Sequence, residues 1–208
     1  MMKLPDTIEA WAMGLTLLPI FLCSIVGSAM TLAKWVQLHR SRRAGEHVFS
    51  EVGTLIGAHD FARVLSVTRS NGSHVARLIE RTVAVADLPP DRLNKHIEQA
   101  GRELARELDR GLDAIGLITT LAPLLGLFGT VVGIVLIFQQ LNASQGVVSP
   151  HQLAGGIGTA LYTTIAGLIV GMCALISHRY LLGLADSAIA QLEAVGLALE
   201  ELIQEGRS

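Results

Sequence analysis

The chain has 208 residues, of which 50% are hydrophobic and only 16% are charged, and its formal net charge is -2. Soluble domains contain about 25% charged residues. The net charge says nothing about nucleic acid, which is not expected as a partner. Two long segments lack Asp, Glu, Lys and Arg altogether, between Glu9 and Lys34 and between Asp113 and Arg179. Because about 20 apolar residues cross the hydrocarbon layer of a membrane, the first segment holds one span and the second holds two.

The first span is predicted at 11–33, after a short outer terminus at 1–10. A cleaved signal peptide is the alternative, but the basic cluster that begins with Lys34 and Arg40 follows the apolar run instead of preceding it. Export of that cluster would violate the positive-inside rule. We therefore expect a retained anchor whose N-terminus is periplasmic.

The segment 34–113 contains 13 of the 16 Lys and Arg residues and is predicted to be a cytoplasmic helical domain. Asn71-Gly72 marks a turn within it, and Pro89-Pro90 marks a helix start, since proline is tolerated in a first turn. No further proline occurs before Pro123. We therefore expect one long helix that leaves the cytoplasm and enters the membrane.

The second span is predicted at 114–140 and the third at 155–178. The loop at 141–154 carries no Lys or Arg, which suits a periplasmic position, and 179–208 then forms a cytoplasmic C-terminal helix. A heptad seam predicts that this helix packs on others; it consists of Ala188, Leu192, Val195, Leu199 and Leu202. The predicted fold is an all-α integral membrane protein with three transmembrane helices and long helices that extend into a cytoplasmic helical domain.

Small residues form stripes along the second and third spans, and such stripes allow helices to pack closely in membranes. The packing set is Gly126, Gly133, Gly156, Ala160, Gly167 and Gly171. Threonines lie on or beside these stripes: Thr130, Thr159, Thr163 and Thr164. Two interpretations stay open, namely tight packing with each hydroxyl bonded within its helix, and a pore wall of hydroxyls. Pro123 predicts a kink, and Thr119 or Thr120 is expected to help satisfy the carbonyl that it frees.

The three spans contain no carboxylate, although proton relays in membranes normally use Asp, Glu or His. His178 lies at the inner edge of the third span, where a structural role is favoured. Cys23 and Cys173 fall in apolar runs and are interpreted as small hydrophobic residues. With no nucleophile, metal cluster or phosphate-binding loop, we expect no enzyme activity, catalytic residue, metal or cofactor. Any role in proton transport requires a partner that supplies the titrating group.

Two segments resemble the second and third spans of the ExbB/TolQ/MotA proton-channel family, TLAPLLGLFGTVVGI at 120–134 and GIGTALYTTIAGLIVG at 156–171. The order of spans resembles the ExbB and TolQ plan. The resemblance implies an inner-membrane homo-pentamer around an ExbD/TolR-type partner with one span that bears an Asp. Such a complex energises TonB-dependent transport or a Tol-Pal-like envelope process. The pore threonines of the family match Thr130 and Thr164, whereas Thr159 replaces a Glu that ExbB and TolQ commonly carry.

Three other interpretations remain. A flagellar MotA-like stator subunit is disfavoured because that branch has four spans and this chain has three. A transporter that carries a small solute itself is disfavoured because no inverted repeat or broken-helix pair is apparent. The third is a membrane scaffold that conducts no ions.

Overall fold

The computed structural model describes residues 6–57, 60–143 and 150–205, which are almost entirely α-helical and contain no strand. In chain order the helices are α1 (Asp6–Gly57), α2 (Phe61–Ser70), α3 (His74–Val83), α4 (Pro90–Asp109), α5 (Leu112–Ala143) and α6 (Pro150–Glu205). The chain divides into two compact units. The apolar unit comprises Met1–Thr31 and Asp113–Arg179, and the polar unit comprises Leu32–Leu112 and Tyr180–Ser208. The predicted all-α class is confirmed.

The short helices of the polar unit begin where their sequences supply caps. An Asp60 carboxylate oxygen accepts a hydrogen bond from the Arg63 N–H at 3.2 Å and caps α2. The Ser73 hydroxyl oxygen accepts from the Ala76 N–H at 3.1 Å and caps α3. The turn predicted at Asn71-Gly72 separates these helices, and α4 starts at Pro90 as predicted.

The junction between α4 and α5 departs from the prediction. Gly111 has φ of 91°, a left-handed conformation that side chains disfavour, and it lies between the end of α4 and the start of α5. The expected single helix is therefore wrong. The Lys34 ammonium donates to the carbonyl oxygens of Arg110 at 2.8 Å and Glu107 at 3.4 Å, which satisfies the last turn of α4 with a cation. The sequence does contain a signal for the end of α4, namely a glycine that follows a basic last turn.

A conventional hydrophobic core holds the polar unit together. Its largest fully buried side chains include Leu38, Ile56, Leu78, Leu93, Leu104, Leu181 and Leu199. Each such side chain contributes about 1.5–3 kcal/mol relative to exposure. The predicted seam of α6 is buried at Ala188, Leu192, Val195 and Leu199, but Ile203 replaces Leu202 as its last fully buried member.

A cluster of charges joins α1, α3 and α4 within the polar unit. Arg77 forms a two-pronged ion pair with Glu107, and the His74 Nε2 atom lies 3.9 Å from a Glu107 carboxylate oxygen. The Ser41 hydroxyl lies 2.7 Å from His74 Nδ1. The hydrogen bond from Arg77 lowers the pKa of Glu107. Burial lowers the pKa of His74, as do the nearby charges of Arg77 and Lys34, against the opposing effect of Glu107.

We expect acid to destabilise the polar unit through His74. A histidine whose pKa is lower in the folded state binds its proton more readily when unfolded, so stability falls as the pH drops through about 6.5. The midpoint of thermal unfolding in detergent, followed by circular dichroism, should fall by a few degrees between pH 7.5 and 5.5. His74→Gln should flatten this dependence, and His96→Gln, at an exposed position, should leave it unchanged. Equal slopes in His74→Gln and the original chain would contradict the assignment. Glu107 contributes only in stronger acid, because its lowered pKa lies under the usual carboxyl range.

The apolar unit has a small interior and a large apolar exterior. Ile118, Ala122 and Ala174 form its buried cluster, against which Cys23 of α1 and Val170 of α6 pack. Large side chains nevertheless face outward, such as Phe128 at 55% exposure and Ile176 at 72%. Among the described residues, three helices are long and apolar enough to cross a membrane. Lipid or a neighbouring subunit is the surrounding that such a surface requires.

Candidate functional site

Helices α5 and α6 approach each other at backbone distance. A Cβ atom placed on Gly167 would lie 2.5 Å from the Ala122 carbonyl oxygen and 2.9 Å from the Cα of Gly126. A Cβ atom on Gly126 would lie 2.9 Å from the Thr163 carbonyl oxygen. Because the neighbours are main-chain atoms that cannot turn aside, only glycine fits at these two positions.

The same contact continues along both helices. A Cβ atom on Gly133 would lie 2.6 Å from that of Ala160, and one on Gly156 would lie 2.8 Å from the Ile137 side chain. A Cβ atom on Gly171 would lie 2.6 Å from the Pro123 ring. The six residues of the predicted packing set thus lie between two helices of one chain. Sequence reasoning missed Gly129, which faces the Thr163 hydroxyl and continues the spacing of Gly126 and Gly133.

Pro123 lies inside α5 and leaves the Thr119 carbonyl without its helical donor. The prediction that the Thr119 or Thr120 hydroxyl satisfies this carbonyl is wrong. The Thr119 hydroxyl donates to the Gly116 carbonyl at 2.7 Å, and the Thr120 hydroxyl donates to the Leu117 carbonyl at 3.0 Å. The freed oxygen instead faces Gly171, where an added Cβ atom would lie 3.2 Å away. The kink at Pro123 stays a prediction.

One main-chain oxygen is the centre of the hydroxyl arrangement. The Gly126 carbonyl accepts a hydrogen bond from the Thr164 hydroxyl at 2.9 Å, and the Thr163 hydroxyl lies 3.2 Å from it. The Thr163 hydroxyl is closer to the Ala160 carbonyl, at 2.7 Å. In an α-helix the N–H of residue 130 also donates to the carbonyl of residue 126. Gly126 therefore connects three of the four threonines singled out in the sequence.

The contact between α5 and α6 has two edges. Consecutive residues of a helix are rotated by about 100°, so Thr163 and Thr164 point to opposite edges. Gly129 faces Thr163, and α1 covers this edge. Thr130 follows Gly129 by one such rotation, which turns it away from that edge, and its side chain is buried within the chain at 8% exposure. Thr159 and Thr163 thus line a recess together with Thr16 of α1, and neither Thr130 nor Thr164 belongs to that lining.

Each threonine hydroxyl already donates its hydrogen to a carbonyl, but its oxygen can still accept a hydrogen bond. The Thr130 hydroxyl donates to the Leu127 carbonyl at 2.7 Å, and that of Thr159 donates to the Gly155 carbonyl at 2.8 Å. A hydroxyl that donates to a carbonyl still has lone pairs that accept hydrogen bonds. The site is therefore prepared to accept from a protonated acid or from water. The described residues contain no cluster of three metal-ligating side chains.

His178 lies near the end of the apolar unit. Its ring faces Gly116 of α5, where an added Cβ atom would lie 3.1 Å from Nε2. This arrangement agrees with the structural role favoured for His178 from its place in the sequence.

Comparison with known proteins matches a region that includes α5 and most of α6. The family model described as the MotA/TolQ/ExbB proton channel family matches residues 68–194. The chain is 29% identical over 186 residues to biopolymer transport protein exbB1 of Vibrio cholerae, which covers 87% of this chain and 81% of that protein. It is 28% identical over 176 residues to biopolymer transport protein ExbB of Neisseria meningitidis serogroup A, with 78% of each covered. A shorter match of 108 residues, 43% identical, joins it to the protein ExbB-like 1 of Synechocystis, with 51% of this chain and 42% of that protein covered.

The matched region contains the whole contact between α5 and α6, and the expected family is confirmed. Three apolar helices together with this kinship make the chain a multi-pass protein of the inner membrane that functions in transport. The chain belongs to the MotA/TolQ/ExbB proton channel family.

Proposed function

We propose that the chain is the ring-forming subunit of a motor driven by the proton-motive force. Five copies surround an ExbD/TolR-type partner, whose single span supplies an Asp. The observation that carries this proposal is the composition of 114–178, which holds several hydroxyls but no Asp, Glu, Lys or Arg. A proton path needs a titrating group in the membrane, and here it must come from another subunit.

Thr130 and Thr164 are proposed to face the partner. A protonated Asp donates its hydrogen to a threonine oxygen, which the committed hydroxyls can accept. The ionised Asp needs donors instead, so a hydroxyl must release the Leu127 or Gly126 carbonyl and turn toward it. Proton binding and release at the partner are thereby coupled to hydrogen bonds on the ring.

The motor is proposed to energise TonB-dependent transport or a Tol-Pal-like envelope process. The relatives from Vibrio cholerae and Neisseria meningitidis support this because both are named as biopolymer transport proteins. With the N-terminus periplasmic and the C-terminus cytoplasmic, the basic segment 34–113 lies inside. A reporter inserted in 141–154 should be active only as a periplasmic fusion, and one after 208 only as a cytoplasmic fusion. The reverse pair of results would overturn the orientation.

Reconstitution tests the motor itself. The chain is purified from its native membranes in mild detergent, and mass spectrometry identifies any co-purifying one-span subunit with a membrane carboxylate. Liposomes that contain this complex and a pH-sensitive dye should take up protons under an imposed potential, whereas the chain alone should not. Replacing the partner's carboxylate by an amide should abolish the flux.

Two results would contradict the proposal. Flux that survives loss of the carboxylate would place the titrating group elsewhere. A preparation without any such partner and without flux would favour the membrane scaffold, in which the hydroxyls serve packing alone.

A further inference from the structure

A recess of about 130 Å³ lies inside the apolar unit, on the edge of the α5–α6 contact that α1 covers. Thr16 of α1, Thr159 and Thr163 of α6 and Gln140 of α5 contribute its polar side chains. Gly129 and Gly133 create room for it because they have no side chain. The recess is thus bounded by helices of a single chain and open along part of its surface, whereas Thr164 is not part of its lining.

The recess follows the spans from the loop end to mid-span. Its lining on α5 runs from Gln140, near the loop at 141–154, to Gly129. At 1.5 Å per residue these eleven steps cover about 16 Å, which is roughly half of the hydrocarbon thickness. At the inner end Thr163 lies beside the Gly126 carbonyl, to which Thr164 donates from the opposite edge. The recess therefore ends next to the proposed proton site.

The walls of the recess are mostly apolar, but four polar side chains within them favour water over a hydrocarbon chain. Apolar cavities of this size stay dry, whereas a recess with several polar groups holds hydrogen-bonded water. The hydroxyls of Thr159 and Thr163 donate to carbonyls of their own helix, so their oxygens present acceptors. At about 30 Å³ for each water molecule, the volume accommodates roughly four.

We propose that this recess is a water-filled entry within each subunit, through which water reaches Thr163 from the loop side and supplies protons to the carboxylate site. The proposal rests on the proposed function, because it gives that function an entry route. It adds a site that includes Thr16, and it places Thr159 and Thr163 in an entry that is separate from the edge facing the partner.

Silver-ion labelling tests the entry in the assembled protein. In a background with Cys23→Ala and Cys173→Ala, a single probe thiol is introduced as Thr163→Cys or Thr159→Cys. Ag⁺ travels through water and reacts with the thiolate, so protection of the thiol from later maleimide labelling under denaturing conditions reports hydration. Both probes should react from the loop side.

A blocking substitution distinguishes the recess from any other route. Thr16→Leu fills the recess from α1, and we expect it to slow silver reaction at Thr163→Cys by roughly tenfold or more, because a dry thiol forms little thiolate. Leu18→Phe is the matched control, since Leu18 is 65% exposed on the same helix and is not part of the lining. It should leave the reaction rate unchanged. If Thr16→Leu does not accumulate in membranes, Thr159→Leu provides the same block from α6.

The outcomes separate this proposal from the one on which it rests. No silver reaction at Thr163→Cys, or reaction unaffected by both blocking variants, overturns the water-filled entry. Blocked labelling with unchanged proton flux in reconstituted complexes overturns its role in proton supply. Absence of flux in the original complex counts against the proposed function alone, because silver labelling needs neither the partner's carboxylate nor an energised membrane.

Discussion

Gly167→Leu is expected to remove nearly all folded protein from the membrane, and Gly167→Ala to lower its thermal midpoint. The added atom meets the Ala122 carbonyl oxygen at 2.5 Å and the Gly126 backbone at 2.9 Å, so the two helices must separate. Overpacking typically costs about 1–3 kcal/mol, and rigid backbone neighbours place this case at the upper end. Membrane levels, thermal unfolding in detergent and native mass spectrometry of the assembly measure the effect.

Gly158→Ala is the matched control, because Gly158 lies on the same helix and an added Cβ atom there has no neighbour within 4 Å. Equal levels and midpoints for the two alanine variants would refute the close crossing. A second check uses Gly171, where an added Cβ atom would lie 2.6 Å from the Pro123 ring. Gly171→Ala should destabilise the protein, and adding Pro123→Ala should restore much of the loss, as expected for residues in direct contact.

Thr130→Val and Thr164→Val are expected to reduce proton flux by one to two orders of magnitude while the complex still assembles. A hydrogen bond to a charged group contributes about 1.5–3 kcal/mol, and each 1.4 kcal/mol corresponds to about a factor of ten. The free energy lost with one such hydrogen bond is as large as the free energy that drives the cycle, since one proton moved through 100 mV releases only about 2.3 kcal/mol. Flux in liposomes, normalised to the amount of assembled complex, measures the effect.

Two further variants separate proton transfer from packing. Thr164→Val also removes the hydrogen bond to the Gly126 carbonyl, so Thr164→Ser, which keeps the hydroxyl, should recover most of the flux. Thr120→Val is the control on α5, since its hydroxyl makes the same kind of bond to a carbonyl of its own helix. Full activity of both valine variants at normal levels would make Thr130 and Thr164 packing residues.

The sequence predicted those parts of the fold that follow from composition and from residues typical of turns and helix starts. Charge-free segments indicated three apolar helices, Asn71-Gly72 indicated the turn between α2 and α3, and Pro90 indicated the start of α4. The small-residue stripes indicated a close helix contact. They did not reveal that α5 and α6 of one chain provide both surfaces, because a stripe is equally compatible with a partner in another subunit.

Other features depend on geometry that the stripes alone do not contain. The break at Gly111 was missed because uninterrupted helical character on both sides concealed a single left-handed residue. Thr163 and Thr164 are adjacent in the sequence, yet the helical rotation assigns them to opposite edges. Thr16 gave no signal, because its place in the recess depends on how α1 packs against helices about a hundred residues later in the chain.

The hydrogen-bond acceptor shared by Thr163 and Thr164 is a main-chain atom, and this affects what genetics can detect. No codon change deletes the Gly126 carbonyl, so selection acts only on the two hydroxyls that lie within hydrogen-bond distance of it and on the absence of a side chain at Gly126. A mutational scan would report three sensitive positions on two helices with no sign of the atom that unites them. Replacement of the amide by an ester at residue 127, which weakens that carbonyl as an acceptor, is the chemical change that reaches it.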